Sequence, residues 1–356
     1  MSTPQSTTLT VFTGDALTHI GQIANGHAAQ NAFARFLQGK ATNTRLTHGA
    51  GLRRFADYLE VIGDAGGIDI AAPMRAFGEA LYAGQLDQLD PTAWRGVTWG
   101  LVESFREWLI TQGDAIATIN SRLSTVKVYS KIAAKAGVIP PEERAMIREV
   151  GGFTHKEGVH VDDKRPGKTR RGLKKAQNVP ITVKQAKALK DQPDTPQGRR
   201  DAVLMCLLLD HGLRCGEVAR LQVTDFDLKA GQLVFYRPKV DLIDTHNLSA
   251  DTLRALHAWI DSGDAGAIGP LLRGSRKGGT LTHAGMGESS ITGRVKALGE
   301  RVGLVGLSAH DCRHYWATFW AGKVDVLRLQ EAGGWASLAM PRRYVARSKI
   351  ANEGMT

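Results

Sequence analysis

Apolar residues recur along this chain with the period of an α-helix more often than with that of a strand. Leu52, Phe55 and Leu59 stand at i, i+3 and i+7 within residues 43–59, and Val102, Phe105 and Leu109 repeat the spacing within 97–110. Ile119, Leu123 and Val126 form a third stripe within 117–136, which Gly137 and Pro140-Pro141 bring to an end. Beyond residue 179, Thr182 can cap a helix running through Lys190, and the dense apolar run Val203–Leu209 reads as a buried helix. Residues 224–248 look like short strands, broken at Ala230-Gly231 and Arg237-Pro238. Helical patterns follow at about 250–260, 289–302, 309–321, 324–331 and 337–347. The pattern predicts a mainly α protein with a small antiparallel β-sheet, and no repeat of solenoid length is evident.

Two segments lack periodicity. Residues 1–21 are rich in Thr and Ser and are expected to form a flexible tail. Residues 151–178 carry Lys164, Arg165, Lys168, Arg170, Arg171, Lys174 and Lys175, a block of like charge that repels itself and stays extended. This segment is expected to be a basic linker, lying along a phosphate backbone or acting as a solvated tether. The chain then divides into a helical domain over 22–150 and a second domain over 179–356. On the helix of 117–136, Arg122, Lys127, Lys131 and Lys135 offer a basic face, which suits a solvated surface or one that tracks phosphates.

Composition narrows the partners. A chain of 356 residues favours two domains, and 42% apolar residues suffice for real cores. The net charge of +11 favours an anionic partner, nucleic acid before membrane, because there is no long apolar run and no basic amphipathic segment with aromatic anchors. Three cysteines, Cys206, Cys215 and Cys312, argue against a disulfide framework and for a reducing compartment. The first twenty residues lack a secretory apolar region, so a cytoplasmic protein with no membrane partner is expected.

Four patches of the second half hold the chemistry: 211–221, Lys239 in the turn 236–241, 307–314, and Gly333-Gly334-Trp335 followed by Pro341-Arg342-Arg343-Tyr344. Together they make a metal-free phosphoryl-transfer kit. Two arginines can clamp a phosphodiester, a lysine can protonate a departing alkoxide, a histidine can move a proton near neutral pH, and a tyrosine can attack. The spacing Gly212-Leu213-Arg214-x-x-Glu217-x-x-x-Leu221, then His310-x-x-Arg313, then Trp335 nine residues before Tyr344, resembles in order the active-site boxes of the tyrosine recombinase (phage integrase) family. Residues 41–141 resemble that family's helical core-binding domain, with 118–125 the most familiar piece.

The resemblance implies a two-domain DNA clamp, a helical core-binding domain joined to a catalytic domain. It implies Tyr344 as nucleophile, Arg214 and Arg313 as phosphate clamp, Lys239 as general acid, His310 as proton-transfer partner, and Glu217 as an acidic support for the clamp. Trp335 stands where many members have a second histidine; an indole can donate a hydrogen bond but not shuttle a proton, so it should position. The implied activity is site-specific recombination through a 3′-phosphotyrosyl link and a Holliday junction, with no metal or other cofactor. The implied partners are double-stranded DNA carrying a recombination site, three further copies of the chain in a tetramer, and accessory DNA-bending proteins, in a nucleoid-associated cytoplasmic setting. Cys312 and His314 flanking Arg313, and the short tail 345–356, depart from the usual pattern.

Other readings carry less. His310 and His314 have the i, i+4 spacing of metal ligands, but no third ligand is obvious and Arg313 would repel a cation. Gly167-Lys168-Thr169 resembles the end of a phosphate loop, but Asp162 stands where the first glycine is needed. A type IB topoisomerase-like enzyme would share the chemistry, and a non-catalytic DNA-binding protein would share the fold.

Overall fold

The computed structural model describes residues 14–164 and 178–348. They belong to two compact units, divided between Ala176 and Gln177. Both are built mostly of helices, with small antiparallel sheets in the second.

The first unit holds α1 (Gly14–Gln30), α2 (Ala32–Gln38), α3 (Thr42–Gly66), α4 (Ala72–Ala83), α5 (Trp99–Thr111), α6 (Ile116–Lys135), α7 (Pro141–Glu149) and α8 (His155–Lys164). The three stripes read from the sequence all face inward: Leu52, Phe55, Val102, Phe105, Leu109, Ile119, Leu123 and Val126 are buried in one core. Around Tyr129 of α6 the core is aromatic, with Phe33, Phe77 and Trp94 packed within ring contact.

The second unit begins with α9 (Val183–Lys190), whose Thr182 cap exchanges hydrogen bonds with Gln185. In α10 (Pro196–Leu209) every side chain from Val203 to Leu209 is buried. A single turn, α11 (Cys215–Val218), leads to a three-stranded sheet of β1 (Phe226–Asp227), β2 (Gln232–Arg237) and β3 (Leu242–Asn247), with β2 in the middle. Along β2 the pleat turns Leu233, Phe235 and Arg237 inward and leaves Val234 and Tyr236 exposed. Then come α12 (Ala250–Asp261), a hairpin of β4 (Arg273–Ser275) and β5 (Leu281–Gly285), and α13 (Glu288–Arg301), α14 (Ala309–Ala321), α15 (Val326–Gly333) and α16 (Ala339–Ser348). The largest core of this unit gathers around α10, while Trp316, Ala317, Ala321, Leu329 and Tyr344 form a small separate one.

Two segments expected to be irregular are partly helical. α1 starts at Gly14, inside the expected tail. α8 occupies residues 155–164 of the expected linker. Its start is tied down twice. The Asn120 amide of α6 accepts from the Phe153 backbone N–H and donates to the Phe153 carbonyl, each at 2.8 Å. Thr154 and Glu157 exchange side-chain and backbone hydrogen bonds across the first turn. Among the described residues, no helix is long and apolar enough to cross a membrane.

Candidate active site

The site is built around one turn, Ala332-Gly333-Gly334-Trp335, at the end of α15. Gly334 caps that helix with φ +55°, and a Cβ there would come within 2.6 Å of the Arg237 guanidinium, so the position needs glycine. Three arginines donate to three successive carbonyls of the turn. Arg237 Nη2 reaches the Ala332 carbonyl at 2.8 Å, Arg313 Nη2 the Gly333 carbonyl, and Arg214 Nη2 the Gly334 carbonyl at 2.7 Å. These carbonyls end a helix and carry the negative end of its dipole, which suits guanidinium partners.

Each arginine comes from a different element. Arg214 precedes α11, where Glu217 Oε2 accepts from its backbone N–H at 2.8 Å and Oε1 from its Nη1 at 2.7 Å. The i, i+3 spacing noted in the sequence thus serves to orient Arg214. Arg313 lies in α14, a helix capped by Ser308 and Asp311. Its Nη1 donates to the Gly212 carbonyl at 2.6 Å, and its guanidinium lies 4.5 Å from the centre of the Trp335 ring. Gly212 has φ +61°, and a Cβ there would run into the Trp316 ring. Burial, and after it the nearby Arg214, pulls Arg313 down to about 9, which leaves it cationic at neutral pH.

Tyr344 comes from α16. Its ring is buried, 5.7 Å from that of Trp335 and 5.2 Å from that of His314, and the phenol is within electrostatic reach of Arg313. His310 is exposed one turn before His314, with the two Nε2 atoms 3.0 Å apart. One Nε2 must donate and the other accept, so the pair holds a proton between its rings. Among the described residues, no group of three or more potential metal ligands is found.

Residues 180–350 match the model of the phage integrase family. This stretch is a domain of the phage integrase, or tyrosine recombinase, family.

Tyrosine recombinase XerC of Myxococcus xanthus is 31% identical to the chain over 180 residues, covering 46% of this chain and 56% of that protein. The chain thus spans little more than half the length of this curated relative. Among solved structures, XerH site-specific recombinase bound to a palindromic difH substrate aligns with a TM-score of 0.56 and 18% identity, covering 88% of this chain and 95% of that one. The Tn1549 transposon integrase in complex with transposon right end DNA aligns with a TM-score of 0.53 and 15% identity, covering 89% and 94%. At these identities the likeness shows the fold.

Of the residues singled out in the sequence, the structure of this recombinase-family domain brings Arg214, Glu217, Arg313, Trp335 and Tyr344 together, with His310 joined to them through His314. Trp335 acts as a floor: its ring supports Arg313 and packs against Trp316 and Tyr344. Lys239 is exposed in the turn between β2 and β3, two residues beyond the buried Arg237. Sequence reasoning passed over Arg237, naming it only with Pro238 as a break between strands. The signal was there in the period-two pattern Leu233-x-Phe235-x-Arg237, which puts the arginine on the buried face.

In the first unit, two residues of the expected basic face serve the fold. Arg122 pairs with the buried Asp114, and Lys127 donates to the Val150 carbonyl. Lys131 and Lys135 are exposed, as is Lys164 at the end of α8. Arg165, Lys168, Arg170, Arg171, Lys174 and Lys175 lie outside the described residues.

Proposed function

We propose that the chain is a site-specific recombinase that cuts and rejoins duplex DNA, acting as a homotetramer on two synapsed sites. The observation that carries this reading is the convergence of Arg214, Arg313 and Tyr344 on the turn 332–335 of a phage integrase family domain. The relatives support it: one is a recombinase bound to a substrate, another an integrase in complex with transposon-end DNA. The net charge of +11 suits a polyanionic partner.

The chemistry follows from the side chains. Each guanidinium has five N–H donors, and the bonds to carbonyls and to Glu217 take two from Arg214 and two from Arg313. The rest are available to the non-bridging oxygens of a phosphodiester, where they oppose the charge that builds as phosphorus becomes five-coordinate. The Tyr344 oxygen attacks phosphorus, and its proton passes to the His310–His314 pair. The bond from phosphorus to the 5′ oxygen breaks, and Lys239 protonates the leaving oxygen. A 3′-phosphotyrosyl link remains. The 5′-hydroxyl of the partner strand then attacks it, frees the phenol and forms the Holliday junction. One phosphodiester is exchanged for another, so no external energy source is needed.

A nicked duplex carrying a site selected by the protein from a random DNA pool tests this, because loss of the short cleaved fragment prevents resealing. Wild-type protein should become covalently joined to the DNA. Tyr344→Phe should bind equally well and never be joined. A wild-type protein that binds its selected site without ever becoming linked would overturn the reading.

A further inference from the structure

Arg237 is fully buried at the end of β2, yet most of its partners are charged or polar. Its Nε donates to Asp244 of β3 at 2.7 Å, and Nη2 meets His246 Nε2 at 2.9 Å as well as the Ala332 carbonyl at 2.8 Å. Because arginine can only donate, His246 Nε2 accepts. The guanidinium also lies 4.7 Å from the centre of the Phe235 ring. Nη1 is buried without a hydrogen bond and stands 3.5 Å from Glu217 Oε2, the oxygen that holds the Arg214 backbone.

This arrangement links the sheet to both halves of the phosphate clamp. Through Glu217, Arg237 bears on Arg214. Through Ala332, it bears on the turn whose next two carbonyls hold Arg313 and Arg214 and whose Trp335 ring lies under Arg313. An arginine serving packing alone has no need to hold a buried donor beside a carboxylate in an ion pair without a hydrogen bond. We propose that Arg237 is a positioning residue for strand cleavage, holding Glu217 and the turn 332–335 in register so that Arg214 and Arg313 meet the same phosphate. The proposal rests on the recombinase reading and adds to it a residue outside the recognised boxes.

The geometry separates two substitutions. Arg237→Lys keeps a buried cation beside Glu217 and Asp244, but one ammonium cannot replace a planar fork that spans Asp244, His246 and Ala332 at once. Asp244→Ala leaves Arg237 in place and removes its anchor on β3.

The experiment measures single-turnover cleavage of the nicked duplex at saturating protein, alongside DNA affinity and the melting transition of the full chain. Arg237→Lys should bind DNA within about threefold of wild type and cleave at least tenfold more slowly, with Asp244→Ala slowed in the same direction by a smaller factor. A fall in cleavage at unchanged affinity is the mark of misaligned chemistry; a purely structural role would lower the melting temperature and leave the folded fraction cleaving normally. If Arg237→Lys melts too early to assay, the rate of Asp244→Ala decides. Wild-type cleavage rates in a folded Arg237→Lys, or in Asp244→Ala where the first cannot be assayed, would overturn the proposal. Absence of cleavage by the wild-type protein would instead overturn the recombinase reading itself.

Discussion

At the scale of single residues, the site gathers positive charge and then spends structure to hold it. Arg214, Arg237 and Arg313 would repel one another in an apolar interior, and Glu217 with the carbonyls of the turn 332–334 offsets that repulsion. His211, beside Gly212 and Arg214 in the chain, shows the opposite strategy. It is buried, bonds Thr252 through Nε2 at 3.0 Å, and is pushed from 6.5 down to about 3 by burial, with His246 and Lys190 adding to the effect. Its ring is therefore neutral in the folded protein across the physiological range. Unfolding releases it to take up a proton at any pH between about 3 and 6.5. Its contribution to stability is complete above pH 6.5 and declines as the pH falls toward 3, by at most about 1.4 kcal/mol per pH unit. Denaturant titrations at stepped pH should show this acid-side loss in the wild type and a shallower one in His211→Gln; equal slopes would contradict the assignment.

At the scale of elements, the contribution of α8 rests on a small anchor. Asn120 holds the Phe153 backbone through both of its amide atoms, and Phe153 also receives the Arg106 guanidinium on its ring face, 5.2 Å from the centre. Asn120→Ala should cost about 1–2 kcal/mol by removing two hydrogen bonds to a half-buried backbone. It should also speed proteolysis within residues 154–164; an unchanged cleavage pattern there would show that α8 is held by something else. This anchor explains why the segment was read as linker. Residues 151–164 have no helical stripe to announce them, and their order comes from a side chain 33 positions away. The long amphipathic helices were legible because the spacing of Leu52, Phe55 and Leu59, or of Val102, Phe105 and Leu109, is itself the imprint of a buried face. The β4–β5 hairpin was not, since Gly274, Gly278 and Gly279 break any alternation over its few residues. In the site, Arg214, His310, Arg313 and Tyr344 were legible through spacing. The three-carbonyl arrangement was not, because backbone acceptors leave no trace in residue identity.

At the scale of the whole molecule, the two units have separate apolar cores, one drawn entirely from residues 33–150 and the others from residues 186–344. Residues 178–356 expressed alone should therefore melt in one cooperative transition by calorimetry, and a non-cooperative melt would show that this unit depends on the first. The functional account rests on a single covalent bond, and its site can be mapped. After reaction with the nicked duplex, nuclease trimming and tryptic digestion, mass spectrometry should find a nucleotide attached through its 3′-phosphate to the peptide Tyr344-Val345-Ala346-Arg347. A nucleotide on another residue, or one joined through its 5′-phosphate, would contradict the account.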